Sequence, residues 1–331
     1  MRAFEYFDAA SVAEAVKLLK AEPDGAIFAG GTDLLVLMKN RVANPRLLIN
    51  VKTIPNLDGI EEDSLGGLTI GPLATLARLG GHELVQREHP VLAQAVAVAA
   101  SPQIRNVATV GGNICQRPRC WYYRGSFDCF LKGGNHCFAK DGRNRHHRIF
   151  GDSPCHAVNP SDLAPPLVAL GASLTLQGPR LRRQVPAADF FAAPEQGSLN
   201  QNVLGHGEMI TAISVPKQPD GSRGIYMKAM ERKAWSFAQA SVAIQLARRE
   251  DEVTDVRIVL GGVAPTPWRA AAAEEVLHGK VPTPDLIDLA SGAASAGAHP
   301  LSDNAYKVRL AGALVKRGLQ TLLAGQTDSS P

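Results

Sequence analysis

The chain has five cysteines, and all of them fall between positions 115 and 155. Four of these, Cys120, Cys129, Cys137 and Cys155, lie in one stretch rich in glycine, arginine and histidine. Four thiolates are the usual coordination set of an iron–sulfur cluster, so the group points to redox chemistry. The spacing C-x8-C-x7-C-x17-C lacks the C-x2-C pairs of most structural zinc sites and bacterial ferredoxins, yet it leaves a zinc staple open. A disulfide scaffold would spread its cysteines through the fold, which this chain does not do. Residues 115–148 also carry eight Lys or Arg against two Asp, a local +6 that exceeds the +4 of the whole chain. A cluster held by four thiolates is a net anion, and such a surround stabilises it. The competing readings are a solvated loop face or a nucleic-acid patch, to which Trp121, Tyr122 and Tyr123 would add stacking surfaces.

Two glycine pairs are the second candidate. Gly30-Gly31-Thr32-Asp33 follows the apolar run Ala26–Ala29, and Ala108-Thr-Val-Gly-Gly-Asn113 directly precedes the cysteine stretch. Glycines let the backbone approach a ligand, and consecutive N–H groups can form a nest for phosphate oxygens. Singly, each pair reads equally as a plain turn; together they suit the two phosphates of a dinucleotide. Neither is the G-x-G-x-x-G fingerprint, which disfavours a doubly wound dehydrogenase. His136, His146, His147 and His156 lie near the cysteines and receive no assigned role. Cys115, two residues after Asn113, reads as a small buried side chain or as a fifth, redox-sensitive thiol.

The elements that must position these groups are partly visible. Ser11 to Glu14 forms a capping box, and Val12, Ala15, Val16 and Leu19 recur at helical spacing, which predicts a helix over 11–21. Short apolar strands are expected at 26–29 and 47–51, giving a small α/β subdomain over 1–55. A strand near 68–70, helices near 75–84 and 90–100, and strands at 173–176 and 209–215 make a larger subdomain over 56–218. Residues 115–157 show no period and read as a long loop, a length that favours function. After a linker at 216–221, three strands (225–230, 240–247, 253–263) and helices near 270–278, 284–296 and 303–324 predict a separate α+β domain over 222–326. At 331 residues the chain has room for two or three domains, and 45% apolar with 20% charged residues is a soluble composition. The N-terminus has no apolar signal region and no run of 18 apolar residues follows, so neither an export signal nor a membrane span is expected. Cytoplasm is then the default location, with export alongside a signal-bearing partner as the other route to the periplasm.

Ala29-Gly-Gly-Thr-Asp-Leu-Leu35, Gln103-Ile-Arg-Asn-Val-Ala-Thr-Val-Gly-Gly-Asn113, Pro160-Ser-Asp162 and Leu260-Gly-Gly-Val-Ala-Pro-Thr-Pro267 together resemble the FAD-binding subunit of the molybdenum hydroxylase (xanthine dehydrogenase) family. The resemblance runs nearly end to end. It implies an α+β fold: a two-part flavin-binding domain of the vanillyl-alcohol-oxidase type, followed by a smaller C-terminal α+β domain with a three-stranded antiparallel sheet. Carried over by position, it implies that Ile27, Phe28, Ala29, Gly30, Gly31, Thr32, Asp33, Leu34 and Leu35 wrap the FAD pyrophosphate. Thr109, Gly111, Gly112 and Asn113 would form the second wall, Asp162 an acidic contact and Lys228 a lysine near the flavin, with Ala99 and Ile210 in backbone or packing contacts. The stretch from Gln116 to Cys155 is similar to an extra loop that holds a [4Fe-4S] cluster in a subset of the family, which includes periplasmic aldehyde oxidases and 4-hydroxybenzoyl-CoA reductases. Cys120, Cys129, Cys137 and Cys155 match its ligand positions, whereas Cys115 does not.

The resemblance further implies a large molybdopterin-binding partner, a small [2Fe-2S] partner in a heterotrimer or its dimer, and an external electron acceptor. No general base is nominated in this chain. A reductase-like relative running in the opposite direction is the nearest alternative. A zinc-stapled nucleic-acid-binding protein and a self-contained flavin oxidase are the alternatives from other classes.

Overall fold

In the computed structural model residues 1–324 are described, so the last two residues of the expected C-terminal domain, 325 and 326, lie outside the described residues. The N-terminal subdomain is a parallel sheet of β1 (Glu5–Asp8), β2 (Gly25–Phe28) and β3 (Leu47–Asn50) in the order β1-β3-β2, with Glu5 and Gly25 both opposite Leu47. The helix Val12–Ala21 crosses between β1 and β2 as a parallel connection requires. Ser11 Oγ accepts from the Glu14 N–H at 3.2 Å, and the Glu14 carboxylate accepts from Ala10 N–H at 2.7 Å. Ala15, Val16 and Leu19 face the sheet. Strand β1 was not expected, because all four of its residues are exposed and show no alternation.

The second subdomain is an antiparallel sheet of β4 (Ile60–Glu62), β5 (Leu68–Ile70), β6 (Ser173–Gln177), β7 (Arg182–Pro186) and β8 (Met209–Val215), ordered β4-β5-β8-β6-β7. The chain leaves this sheet after β5 and returns at β6, and helices between them share one hydrophobic core with it. The single helix expected near 75–84 is two, Leu76–Gly81 and Glu83–Glu88, broken where His82 turns extended after a glycine pair. Gly80 earns its place by contact: a Cβ there would lie 2.7 Å from Val96 Cγ1 on the helix Pro90–Ala97.

Among the described residues the C-terminal domain has four strands rather than three, β9 (Arg223–Ala229), β10 (Ala240–Arg249), β11 (Glu252–Gly261) and β12 (Trp268–Arg269), in the order β12-β11-β10-β9. The two residues of β12 are too few to carry a period. Strand β10 is buried on both faces, which explains its nearly unbroken apolar run. Ala243 belongs to the core of the second subdomain, while Val242, Ile244 and Leu246 belong to the core beneath the C-terminal helices. The last described helix, Tyr306–Ala324, buries Ala311, Val315, Leu319 and Leu322 as its spacing predicts. It also buries Lys307, whose Nζ donates to the carbonyls of His146 at 3.1 Å and Gly262 at 2.7 Å, and burial pushes its pKa down to about 7. No helix among the described residues is long and apolar enough to cross a membrane.

Arg183 on β7 grips Glu208 before β8 with two bonds, 2.9 and 2.7 Å, while Gly205 N–H adds a third at 2.7 Å. The Arg183 hydrogen bonds hold the Glu208 carboxyl below its ordinary range. A depressed folded-state value means that this contribution is complete above the unfolded carboxylate pKa and is lost as pH falls through the folded one. Glu208→Gln is therefore expected to lower stability at neutral pH and to flatten the acid limb of the unfolding curve. Parallel urea titrations from neutrality into acid check this; an unchanged acid limb would remove Glu208 from the account.

Candidate functional site

The first glycine pair leaves β2 and enters the helix Leu34–Lys39, with Gly31 at φ +68°, in the left-handed region that favours glycine. A Cβ on Gly30 would collide with the Val107 carbonyl and lie 3.1 Å from Ala108 Cα. The first loop therefore rests directly on the backbone that leads into the second. There, Thr109 Oγ1 caps the short helix Val110–Ile114 by accepting from Gly112 N–H at 3.1 Å, and Gly111 N–H donates to the Pro72 carbonyl at 2.9 Å.

Two cavities, about 280 and 660 Å³, open on either side of this contact. The smaller is lined by Ile27, Ala29, Gly30, Gly31, Leu34, Thr109, Gly111 and Ile210, and the larger by Ala99, Asn113 and Asp162. Thr32, Asp33, Gly112 and Gln116 border both. A ligand threaded through the two would pass its middle over the glycine backbones, which is the shape of a dinucleotide site. Phe28, Leu35 and Lys228 line neither cavity. The Phe28 ring packs edge-on against Tyr6 at 6.0 Å and under Lys52 Nζ at 4.5 Å.

Lys228 lies behind the cavity wall with its side chain fully buried. Its Nζ donates to Asp162 Oδ2 at 2.8 Å and to the Val98 carbonyl at 3.1 Å, and Tyr226 Oη donates to Asp162 Oδ1 at 2.9 Å. Burial pushes the Asp162 carboxyl upward, against the pull of Lys228 and of the Tyr226 hydroxyl. Lys228 is thus the counter-ion of a cavity-lining carboxylate. Tyr226 escaped the sequence reading, although its place two residues before Lys228 on β9 puts both on one face of the strand. Ser161 was also missed: its Oγ donates to Asn113 Oδ1 at 2.7 Å and so joins the second glycine loop to Asp162.

In the cysteine loop, Cys129 and Cys155 are buried and Cys120 and Cys137 half-buried, and none forms a disulfide. Cys120, Cys129 and Cys155 pack in one small cluster with Leu37, Tyr123 and Leu131. Burial pushes the Cys120 thiol up to about 11 and the Cys155 thiol to about 12, and Cys137 is near enough to raise all three of the others. Backbone N–H groups of Tyr122 and Tyr123 point at the Cys120 sulfur, those of Leu131 and Lys132 at Cys129, and that of Ala157 at Cys155. Among the described residues, however, no group of three or more His, Cys, Asp or Glu side chains is arranged to hold a metal ion. Of the four expected ligands, Cys120, Cys129 and Cys155 share one cluster, and the described residues form no arrangement that holds a metal ion. Cys115 stands apart, bordering the smaller cavity, with Asn202 Nδ2 3.9 Å from its sulfur.

The local positive charge turns inward to a degree that the sequence did not show. Arg148 is buried and donates to the carbonyls of Cys155 at 3.3 Å and Ser153 at 2.7 Å, as well as to Gly151. Arg119 and Arg124 both reach the carboxylate of Asp33. Among the histidines, His147 places Nε2 3.2 Å from Cys120 Sγ, and burial followed by Lys307 pushes its pKa down to about 4.

A parallel three-stranded unit docked on an antiparallel five-stranded one, with facing glycine loops and a divided cleft between them, defines a two-part dinucleotide-binding flavoprotein architecture. Residues 2–218 match the FAD binding domain in molybdopterin dehydrogenase, and residues 225–322 match the CO dehydrogenase flavoprotein C-terminal domain. The chain belongs to the family of FAD-binding oxidoreductase subunits of the molybdenum hydroxylases. It is 36% identical over 329 residues to the aldehyde oxidoreductase FAD-binding subunit PaoB of Escherichia coli (strain K12), covering 98% of each chain. It is 32% identical over 326 residues to the carbon monoxide dehydrogenase medium chain of Hydrogenophaga pseudoflava, covering 97% of each. Its structure superposes on that of the Hydrogenophaga pseudoflava carbon monoxide dehydrogenase lacking the Mo-pyranopterin moiety, with a TM-score of 0.79 at 32% identity and 98% coverage of each chain.

Lys228→Met leaves the Asp162 carboxylate buried without its cation, and breaking such a pair from one side costs about 3–5 kcal/mol. Urea unfolding should show that loss, and Asp162→Asn in the same chain should recover part of it. A single variant as stable as the parent would mean that the pair is not structural.

Proposed function

We propose that this chain is the flavin-carrying electron-transfer subunit of a heteromeric molybdenum hydroxylase. The observation that carries the reading is the cleft bent over two mutually supporting glycine loops, within a chain that matches FAD-binding subunits along its whole length. The backbones at Gly30, Gly31, Gly111 and Gly112 would hold the FAD pyrophosphate, with Thr32, Thr109 and Asn113 beside it and Asp162 in the wall of the larger cavity. Bound there, FAD accepts electrons one or two at a time, and the protein's part is to position it and tune its electrostatics. Partners are expected to be a large molybdopterin subunit, where substrate is oxidised, and a small [2Fe-2S] subunit. Support comes from relatives that are themselves described as medium chains.

The second cofactor proposed is a [4Fe-4S] cluster on Cys120, Cys129, Cys137 and Cys155. Four thiols within reach of one another's charge, and peptide N–H groups aimed at three of the sulfurs, are what an anionic cluster needs from its surroundings. Deprotonation of such deeply buried thiols is supplied by the metal itself.

An anaerobic absorption spectrum of the purified full chain, with flavin, iron, sulfide and zinc analysis, tests both readings. About four irons and four sulfides per FAD are expected. Gly30→Val, which drives a side chain into the Val107 carbonyl, should lose the flavin. Zinc without iron would replace the cluster by a staple, and protein that binds no flavin would end the main reading.

A further inference from the structure

Asp33, expected among the flavin-phosphate residues, spends its carboxylate elsewhere. Oδ1 lies 2.7 Å from an Nη atom of Arg119 and 2.7 Å from Arg124 Nη2, and Oδ2 accepts from Arg117 N–H at 2.8 Å. Arg124 also donates to the carbonyls of Pro118 at 2.7 Å and Arg117 at 3.0 Å, closing a knot around the segment that carries Cys120. The side chains of Asp33 and Arg124 are 14% and 12% exposed, so the pair is shielded from solvent and from screening salt. At its other end Asp33 directly follows Gly30-Gly31-Thr32 and borders both halves of the cleft.

Two arginines on one carboxylate leave a surplus positive charge at the junction, and Arg119 Nε and Arg124 Nη1 are buried without an acceptor. An anionic group on either side, flavin phosphate or thiolate cluster, relieves the same surplus.

We propose that Asp33 is a positioning residue that couples the two cofactor sites, so that the glycine loop and the cysteine loop take their ligand-holding arrangements together and loading of one cofactor tightens the other. The inference rests on the flavin and iron–sulfur reading above and adds a regulation of assembly to it. Coupling of this kind is reciprocal: whatever factor iron loading adds to flavin affinity, flavin must add to retention of the cluster.

The test is a cycle on the full chain: the parent, Cys155→Ser, Asp33→Asn and the double variant, each assayed for FAD affinity by equilibrium dialysis and for iron content. Cys155→Ser removes a cluster ligand outside the 117–124 knot. In the parent it should weaken FAD on the order of tenfold, whereas in the Asp33→Asn background it should add no further weakening. Effects that simply multiply would overturn the proposal, as would an Asp33→Asn protein that keeps parental flavin affinity and iron. Arg124→Lys, which keeps the charge but loses the fork, serves where Asp33→Asn does not fold, and limited proteolysis of 115–157 with and without FAD gives a second readout. FAD should protect the loop in the parent and fail to do so in Arg124→Lys; equal protection in both would count against the coupling. Should the parent hold no iron, the cluster reading falls, yet the proteolysis comparison still decides whether Asp33 ties the loops together.

Discussion

The cleft exists because two stretches of backbone meet with no side chain between them. At Gly30 the N-terminal sheet hands its chain onto the peptide units of Val107 and Ala108, closer than any Cβ would permit. Everything nearby inherits this approach. The Thr109 cap fixes the second loop internally, Gly111 binds back to Pro72, and the cavities share the residues of the junction. A side chain at that point would prise apart the parallel and antiparallel sheets and widen the middle of the cleft, where a dinucleotide needs its backbone donors closest together.

Much of this was legible in the sequence, because it depends on local rules. Glycine pairs after apolar strands, a serine cap and a long amphipathic helix all announce themselves by residue type and spacing. What was illegible depends on partners distant in the chain. Strand β1 is an exposed edge whose residues carry no pattern, and β12 is two residues long. Lys228 was singled out as a residue near the flavin, but its direction, towards Asp162 and away from both cavities, follows from the register of β9 against β10 and from the cavity wall in front of it, neither of which the residue type encodes. The basic residues of the cysteine loop were visible as a charge excess. That several of them turn inward onto carbonyls and a carboxylate follows only from where the loop lies.

Buried carboxylates tie the parts of the molecule together, each with partners from another element. Asp33 joins the first glycine loop to the cysteine loop, Asp162 joins the cavity wall to β9, and Glu274 joins its helix to β11 by accepting from Ile258 N–H at 2.8 Å and from Arg269 at 2.8 Å. Such groups are poor sources of net stability, since desolvation cancels much of the attraction, but breaking one from either side is costly. Their value lies in geometry: an apolar contact tolerates sliding, whereas a carboxylate shared between fixed donors does not.

The electron-transfer role proposed for this chain would make the same demand. Buried His147, against Cys120, and half-buried His156, next to Cys155 in the chain, are both held near pKa 4, mainly by burial, with Lys307 and Arg148 respectively pushing the same way. Both therefore stay neutral through the physiological range. A hydrolytic site would place such histidines where their pKa meets the working pH. Here they are dried and pinned, His147 beside a thiol and behind it a lysine that has only carbonyls for partners. Two neutral histidines hold the charge at their own positions constant, which suits a redox group beside them, whereas Lys307, held down to about 7 by burial, is the neighbouring group that exchanges a proton near neutrality.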